Sequence, residues 1–173
     1  MPDLLSRVGS LLRDRRVGAA LIGANALASF GVSRSTHDID LLVVDRAVLD
    51  AAFWAALTDV AIDVRRGDVD DPLAGVVRCR ATASRPVDIV VGRHRWMQAA
   101  IERARPAETG VIPIVERADW VCLKLFAGGV QDLNDVQHLR AVIGPALDAE
   151  VAARLGDLPT AIGDAWRQLI AGG

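Results

Sequence analysis

The sequence predicts an α/β (α+β) chain with a small mixed β-sheet, flanking helices and a helical C-terminal part. Three observations carry this. Short apolar runs closed by Gly, Pro or Asp recur between residues 17 and 92. Helical-period apolar stripes precede and interrupt them. From residue 93 onward only helical patterns remain. A length of 173 residues fits one ordinary domain, read as 1–173, with a core sheet in 17–92 and a mainly helical portion in 93–173.

The elements follow in order. Asp3 reads as the N-cap of a helix from Leu4 to about Arg15, because Leu4, Leu5, Val8, Leu11 and Leu12 form one stripe. Gly18–Ile22 is a short apolar run stopped by Gly23, consistent with a buried strand. Ala24–Phe30 reads as a small-residue helix closed by Gly31. A V-S-R-S-T loop leads into H-D-I-D-L-L-V-V, read as a strand, and Asp45 is expected to cap a helix over Ala47–Leu57. Ala61–Arg65 and Val76–Ala81 read as strands joined by a turn around Gly67–Pro72. Pro86 precedes a further strand, Val87–Val91. Helices are expected over 94–104, 116–127, 133–143, 146–155 and 160–171, with Asp132 opening the third of these and Asp135 at its third position resembling a capping box.

Composition narrows the function classes. An apolar content of 51 % excludes a disordered or low-complexity protein. A net charge of −2 supplies no general basic surface for nucleic acid, leaving only a local set (Arg78, Arg80, Arg93, Arg95, Arg103, Arg105) for which a solvated surface suffices. Cys79 and Cys122 lie far apart in apolar runs and read as buried thiols. The N-terminus is charged throughout, unlike a signal peptide. The longest apolar stretch is shorter than the roughly 20 residues a membrane-spanning helix needs. A cytoplasmic protein with no membrane partner is expected. Of the 20 basic residues 19 are Arg, so the single lysine, Lys124, stands apart.

Asp38 and Asp40 hold most of the chemistry. Residues i and i+2 of a strand share a face, so both carboxylates project together from a strand that is otherwise apolar. Close like charges on such a strand repel, and a divalent cation removes the conflict. Asp88 repeats the pattern in P-V-D-I-V-V. If its strand neighbours the first, three carboxylates meet at one edge and could hold two metals. An Asp at a strand start is as often a simple turn residue, and the preceding segment decides between the two. There Gly23-Ala24-Asn25 forms a strand-to-helix junction, where free backbone N–H groups can seat phosphate. Arg34, Ser35 and Thr36 add a guanidinium and hydroxyls just before Asp38. The four tryptophans sit on helical stripes and read as core.

Taken together, L-I-G-A-N-A-L-A-S-F-G-V-S-R-S-T-H-D-I-D-L-L-V resembles the nucleotidyltransferase superfamily, in the branch that includes AbiEii-like toxins of type IV toxin–antitoxin systems. V-D-I-V-V-G resembles that branch's third-Asp strand, and V-C-L-K-L-F-A-G-G-V-Q-D-L-N-D-V-Q-H-L resembles its Lys/Asp segment. The match spans about residues 18 to 140. It implies a nucleotidyltransferase-like fold and transfer of a nucleotide from an NTP to a hydroxyl acceptor. It implies Mg²⁺ (two ions) at Asp38, Asp40 and Asp88, with these three residues catalytic. It also implies nucleotide binding by Gly23, Ala24, Asn25, Arg34, Thr36 and Lys124, with Lys124 at the triphosphate. Acceptors of the tRNA or protein class and a cognate antitoxin are the implied partners. Two departures, Ala24 for a second Gly and Gln131 for a later Lys, motivate the alternative of an inactive nucleotide-binding or partner-binding module.

Overall fold

Period-two alternation divides the residues of the sheet between its two faces. Ile39, Leu41 and Val43 alternate with Asp40 and Leu42, and Val87, Ile89 and Val91 alternate with Asp88 and Val90. The structure, a computed structural model, describes residues 2–107 and 110–172. In it the strands β1 (Ala20–Leu21), β2 (Ile39–Val43), β3 (Ala61–Arg66), β4 (Leu73–Arg80) and β5 (Val87–Gly92) form one sheet in the order β1-β2-β5-β4-β3. β2 and β5 are parallel and the other pairs antiparallel. The mixed sheet expected from the sequence is therefore present, and the segment 44–60 between β2 and β3 carries the chain to the far edge, from which β4 and β5 return to pair with β2.

The odd-numbered residues of β2 and β5 face a core shared with Val77 and Cys79 of β4 and with Leu4, Val8, Leu11 and Leu12 of α1 (Leu4–Asp14). The Asp3 carboxylate caps α1 by accepting from the Ser6 N–H at 2.8 Å. Burial pushes the Cys79 thiol up to about 12, in keeping with an inert core residue. Cys122 is buried as well.

One helix is replaced. Ala47–Leu57 forms two successive 3₁₀ turns, Arg46–Leu49 and Ala51–Trp54. Asp45 and Asp50 each accept from a backbone N–H two residues on, so a second cap restarts the chain where a helix would have continued. Val48, Leu49, Phe53 and Trp54 still reach the core, and the Trp54 indole N–H donates to the Val48 carbonyl at 2.7 Å.

The chain divides into two compact units. The first holds residues 1–25 and 35–115, including the whole sheet and α3 (Arg95–Arg103), which packs on β2. The second holds Ala26–Arg34 and Glu116–Gly173. α3 and the segment to Val115 stay with the sheet, because the Leu21 N–H donates to the Pro113 carbonyl and the Val115 N–H to the Leu21 carbonyl. α2 (Gly23–Ser29) begins in one unit and continues in the other.

In the second unit α4 (Arg117–Ala127) packs on α5 (Val130–Ile143), α6 (Pro145–Ala152) and α7 (Thr160–Ala171). Gly129, not Asp132, is the N-cap of α5, and Asp132 in the first turn accepts from the Gly129 N–H at 3.2 Å. The four tryptophans are buried, as their stripes imply. Among the described residues no helix is long and apolar enough to cross a membrane.

Leu41 is fully buried at the centre of the core face. Leu41→Ala is expected to cost about 2–5 kcal/mol, read from urea unfolding midpoints at constant m-value.

Candidate active site

The register of the sheet places one charged residue on each of four neighbouring strands, in a single row on the face away from the core. Asp40 of β2 stands opposite Asp88 of β5, Asp88 opposite Arg78 of β4, and Arg78 opposite Asp63 of β3. The two aspartates expected to meet do so because β2 and β5 pair parallel without a shift.

Asp40 is bounded on its other side by Gly23. That residue has φ +64°, in the left-handed region where glycine carries no Cβ penalty. A Cβ built on it would overlap the Asp40 carboxylate and lie only 2.8 Å from its Cγ. Glycine here is set both by the backbone and by the close approach of a carboxylate. Ala24, the departure from the resembled pattern, is a buried residue of α2.

Asp38 immediately precedes β2. The Thr36 hydroxyl donates to its Oδ1 at 2.7 Å, and this holds the carboxyl below the usual carboxylate range, with nearby Arg78 and Arg85 adding to the effect. The Asn25 amide donates to the Asp38 carbonyl at 3.1 Å, and the Arg85 guanidinium to the same oxygen at 2.8 Å. Asn25 and Thr36, read from sequence as nucleotide contacts, thus make their visible bonds to Asp38 and fix the turn that presents it.

Asp88 is buried and forms a two-point pair with Arg78: Nε donates to Oδ1 at 2.8 Å and Nη2 donates to Oδ2. The pairing raises the Arg78 guanidinium above its ordinary value. Arg78 also lines an open groove of about 410 Å³ on the β3–β4 side, with Arg65, Arg66 and Val76.

The second unit has its own charged cluster. The Lys124 ammonium donates to Asp132 at 2.7 Å and to buried Asp135 at 3.0 Å. Gln131 donates to the other Asp135 oxygen at 2.8 Å, and the Arg34 guanidinium lies 3.4 Å from it. Asp135, read from sequence as capping a helix and orienting Lys124, is the hub on which Arg34, Lys124 and Gln131 converge.

The donor set can be tested against a divalent cation. Asp38 and Asp40 offer only oxygen, Asp38 with its carboxyl held below the usual range and Asp40 in a cradle that a Cβ at position 23 would fill, which suits a hard ion such as Mg²⁺. Asp88 is different, since each of its oxygens already accepts from Arg78. Among the described residues no three His, Cys, Asp or Glu side chains are arranged as a ready metal cluster.

No protein-family profile matches the chain, and no curated protein matches it. Solved structures do. A crystal structure of ANT(2″)-Ia with adenylyl-2″-tobramycin superposes with a TM-score of 0.56 at 11 % identity, covering 88 % of this chain and 95 % of that one. TM1012 of Thermotoga maritima, described as a nucleotidyltransferase, gives 0.51 at 17 % identity over 78 % and 89 % of the two chains. This is a nucleotidyltransferase fold. A solution structure of the antibiotic-resistance factor ANT(2″)-Ia agrees, with a TM-score of 0.50 at 14 % identity over 83 % and 85 %.

Within the nucleotidyltransferase fold, Arg78 is the residue that sequence reading placed elsewhere, in a solvated arginine patch. Its partnership with Asp88 depends on the β4–β5 register, which no local pattern encodes. The alternation of Val76, Arg78 and Arg80 with Val77 and Cys79 was the available signal, because it puts Arg78 on the face of the sheet opposite the core.

Gly23→Ala combines a left-handed backbone with a clash on Asp40, whereas Gly31, at φ +92°, has open space around a would-be Cβ. Gly31→Ala is expected to lose about 1 kcal/mol and Gly23→Ala about 2–4 kcal/mol, compared by thermal melts.

Proposed function

We propose that the chain is a metal-dependent nucleotidyltransferase that joins the nucleotide of an NTP to a hydroxyl acceptor and releases pyrophosphate. The supporting observation is the in-register pair Asp40 and Asp88, with Gly23 against Asp40 and Asp38 held ionised beside it, within this fold. ANT(2″)-Ia, which shares the fold, has been captured with adenylyl-2″-tobramycin, a nucleotide joined to an acceptor.

Asp38 and Asp40 are the residues that hold Mg²⁺, which when bound supplies charge neutralisation for the triphosphate. Thr36 fixes the rotamer of Asp38, and Asn25 and Arg85 fix its backbone. Gly23 lets the phosphates approach the turn closely. Asp88 accepts the hydrogen bond of the acceptor hydroxyl and aims its oxygen at the α-phosphorus. The new O–P bond forms as the bond to pyrophosphate breaks, and the hydroxyl proton passes to the Asp88 carboxylate. Such a reaction draws mainly on positioning and electrostatics, so a strong base is unnecessary. Lys124 serves the triphosphate, as the family resemblance implies, with Asp132 and Asp135 holding its ammonium in place.

The same resemblance leads us to propose the AbiEii-like branch, a toxin role with a cognate antitoxin, and acceptors of the tRNA or protein class. Labelled NTPs, Mg²⁺ and candidate tRNA or protein acceptors test the enzymatic reading. Wild type should transfer label, and Asp40→Asn should lose at least about a hundredfold in rate. Equal labelling by both proteins would defeat it.

Lys124→Arg keeps the charge but replaces a compact ammonium by a planar fork between two aspartates. Calorimetry with NTP should show affinity lower by about tenfold, with the circular dichroism spectrum unchanged.

A further inference from the structure

The row of charges carries one consequence for the number of ions the site can take. Each oxygen of Asp88 already accepts from the Arg78 guanidinium. Without Arg78 both oxygens of Asp88 would be open to a second ion. The guanidinium is already placed as that second cation would be. It bridges both oxygens of Asp88 from the β4 side, away from Asp40. A metal ion binding the same carboxylate would have to displace a bidentate, charge-assisted pair or sit beside a fixed positive charge.

We infer that this site takes one divalent cation, held by Asp38 and Asp40, and that Arg78 stands in for a second ion by holding and neutralising Asp88. The inference rests on the nucleotidyltransferase reading and corrects one part of it, the pair of ions that the family resemblance implies. It makes Arg78 a positioning residue. The guanidinium holds Asp88 in one rotamer, so the carboxylate can orient an acceptor hydroxyl without a metal of its own.

Binding of Mn²⁺, followed by the loss of its free-ion electron paramagnetic resonance signal, tests this. The titrations are run on the full chain with each of the four α,β-methylene NTP analogues in turn. One Mn²⁺ per chain is expected in wild type and two in Arg78→Gln. Arg78→Lys, which keeps the positive charge, should stay at one. Asp88→Asn should leave the Mn²⁺ affinity of wild type essentially unchanged, and this variant serves if Arg78→Gln does not fold. Two ions in wild type, one ion in a folded Arg78→Gln, or a fall of about tenfold or more in Mn²⁺ affinity in Asp88→Asn would overturn the inference while leaving the nucleotidyltransferase reading standing. No Mn²⁺ and no nucleotide bound by wild type would remove both.

Discussion

The structure of the site depends on one constraint: two aspartates lie side by side on adjacent parallel strands of a sheet whose other face is the core. At the roughly 5 Å that separates neighbouring strands, two carboxylates repel by about 3 kcal/mol at an effective dielectric of about 20. That is a large fraction of the stability of an ordinary domain. Register and burial leave no freedom to relieve it, because sliding β2 by one residue would turn Ile39, Leu41 and Val43 out of the core. The relief therefore comes from neighbours. Arg78 grips Asp88 from β4, and Thr36 stabilises the ionised form of Asp38. Asp40 has Gly23 against it, where any larger residue would overlap its carboxylate.

A second, similar balance is struck in the helical unit. Asp135 is buried and would be costly alone. Lys124, Gln131 and Arg34 all direct polar groups at it, and Asp132 shares the Lys124 ammonium. Gln131 matters here. It stands where the resembled pattern has a lysine, and its neutral amide bonds Asp135 without adding a third positive charge. The departure from the pattern is thus accommodated by a hydrogen bond.

Much of this was legible in the sequence. The i, i+2 spacing in D-I-D-L-L-V and the repeat in V-D-I-V-V placed Asp40 and Asp88 early on otherwise apolar strands, and Gly23 marked the turn before them. The positions of β3, β4, β5 and of most helices followed from apolar period and from Gly, Pro and Asp punctuation. Lateral order was not legible. No local pattern says that β5 lies between β2 and β4, so the expected meeting of Asp40 with Asp88 was conditional and the meeting of Asp88 with Arg78 went unseen. The 3₁₀ turns at 46–54 were missed for a different reason. Their apolar spacing is helical, and only the paired caps at Asp45 and Asp50 distinguish two tight turns from one helix.

Sheet order also gives the site a direction. The Gly23 turn adjoins Asp40 on the β1–β2 side, whereas Arg78 and its groove adjoin Asp88 on the β4–β3 side. An in-line displacement needs the leaving pyrophosphate and the attacking oxygen on opposite sides of the reacting phosphorus. Under the proposed function, triphosphate at the Gly23 turn and acceptor over Asp88 would satisfy that requirement. The asymmetry of charge runs the same way. On the Gly23 side stand Asp38 and Asp40, the proposed metal ligands, whereas Asp88 is paired with the guanidinium of Arg78. A lysine at position 78 would keep that charge but could not span both oxygens in one plane, so the fork itself, and not only its sign, fixes where Asp88 points.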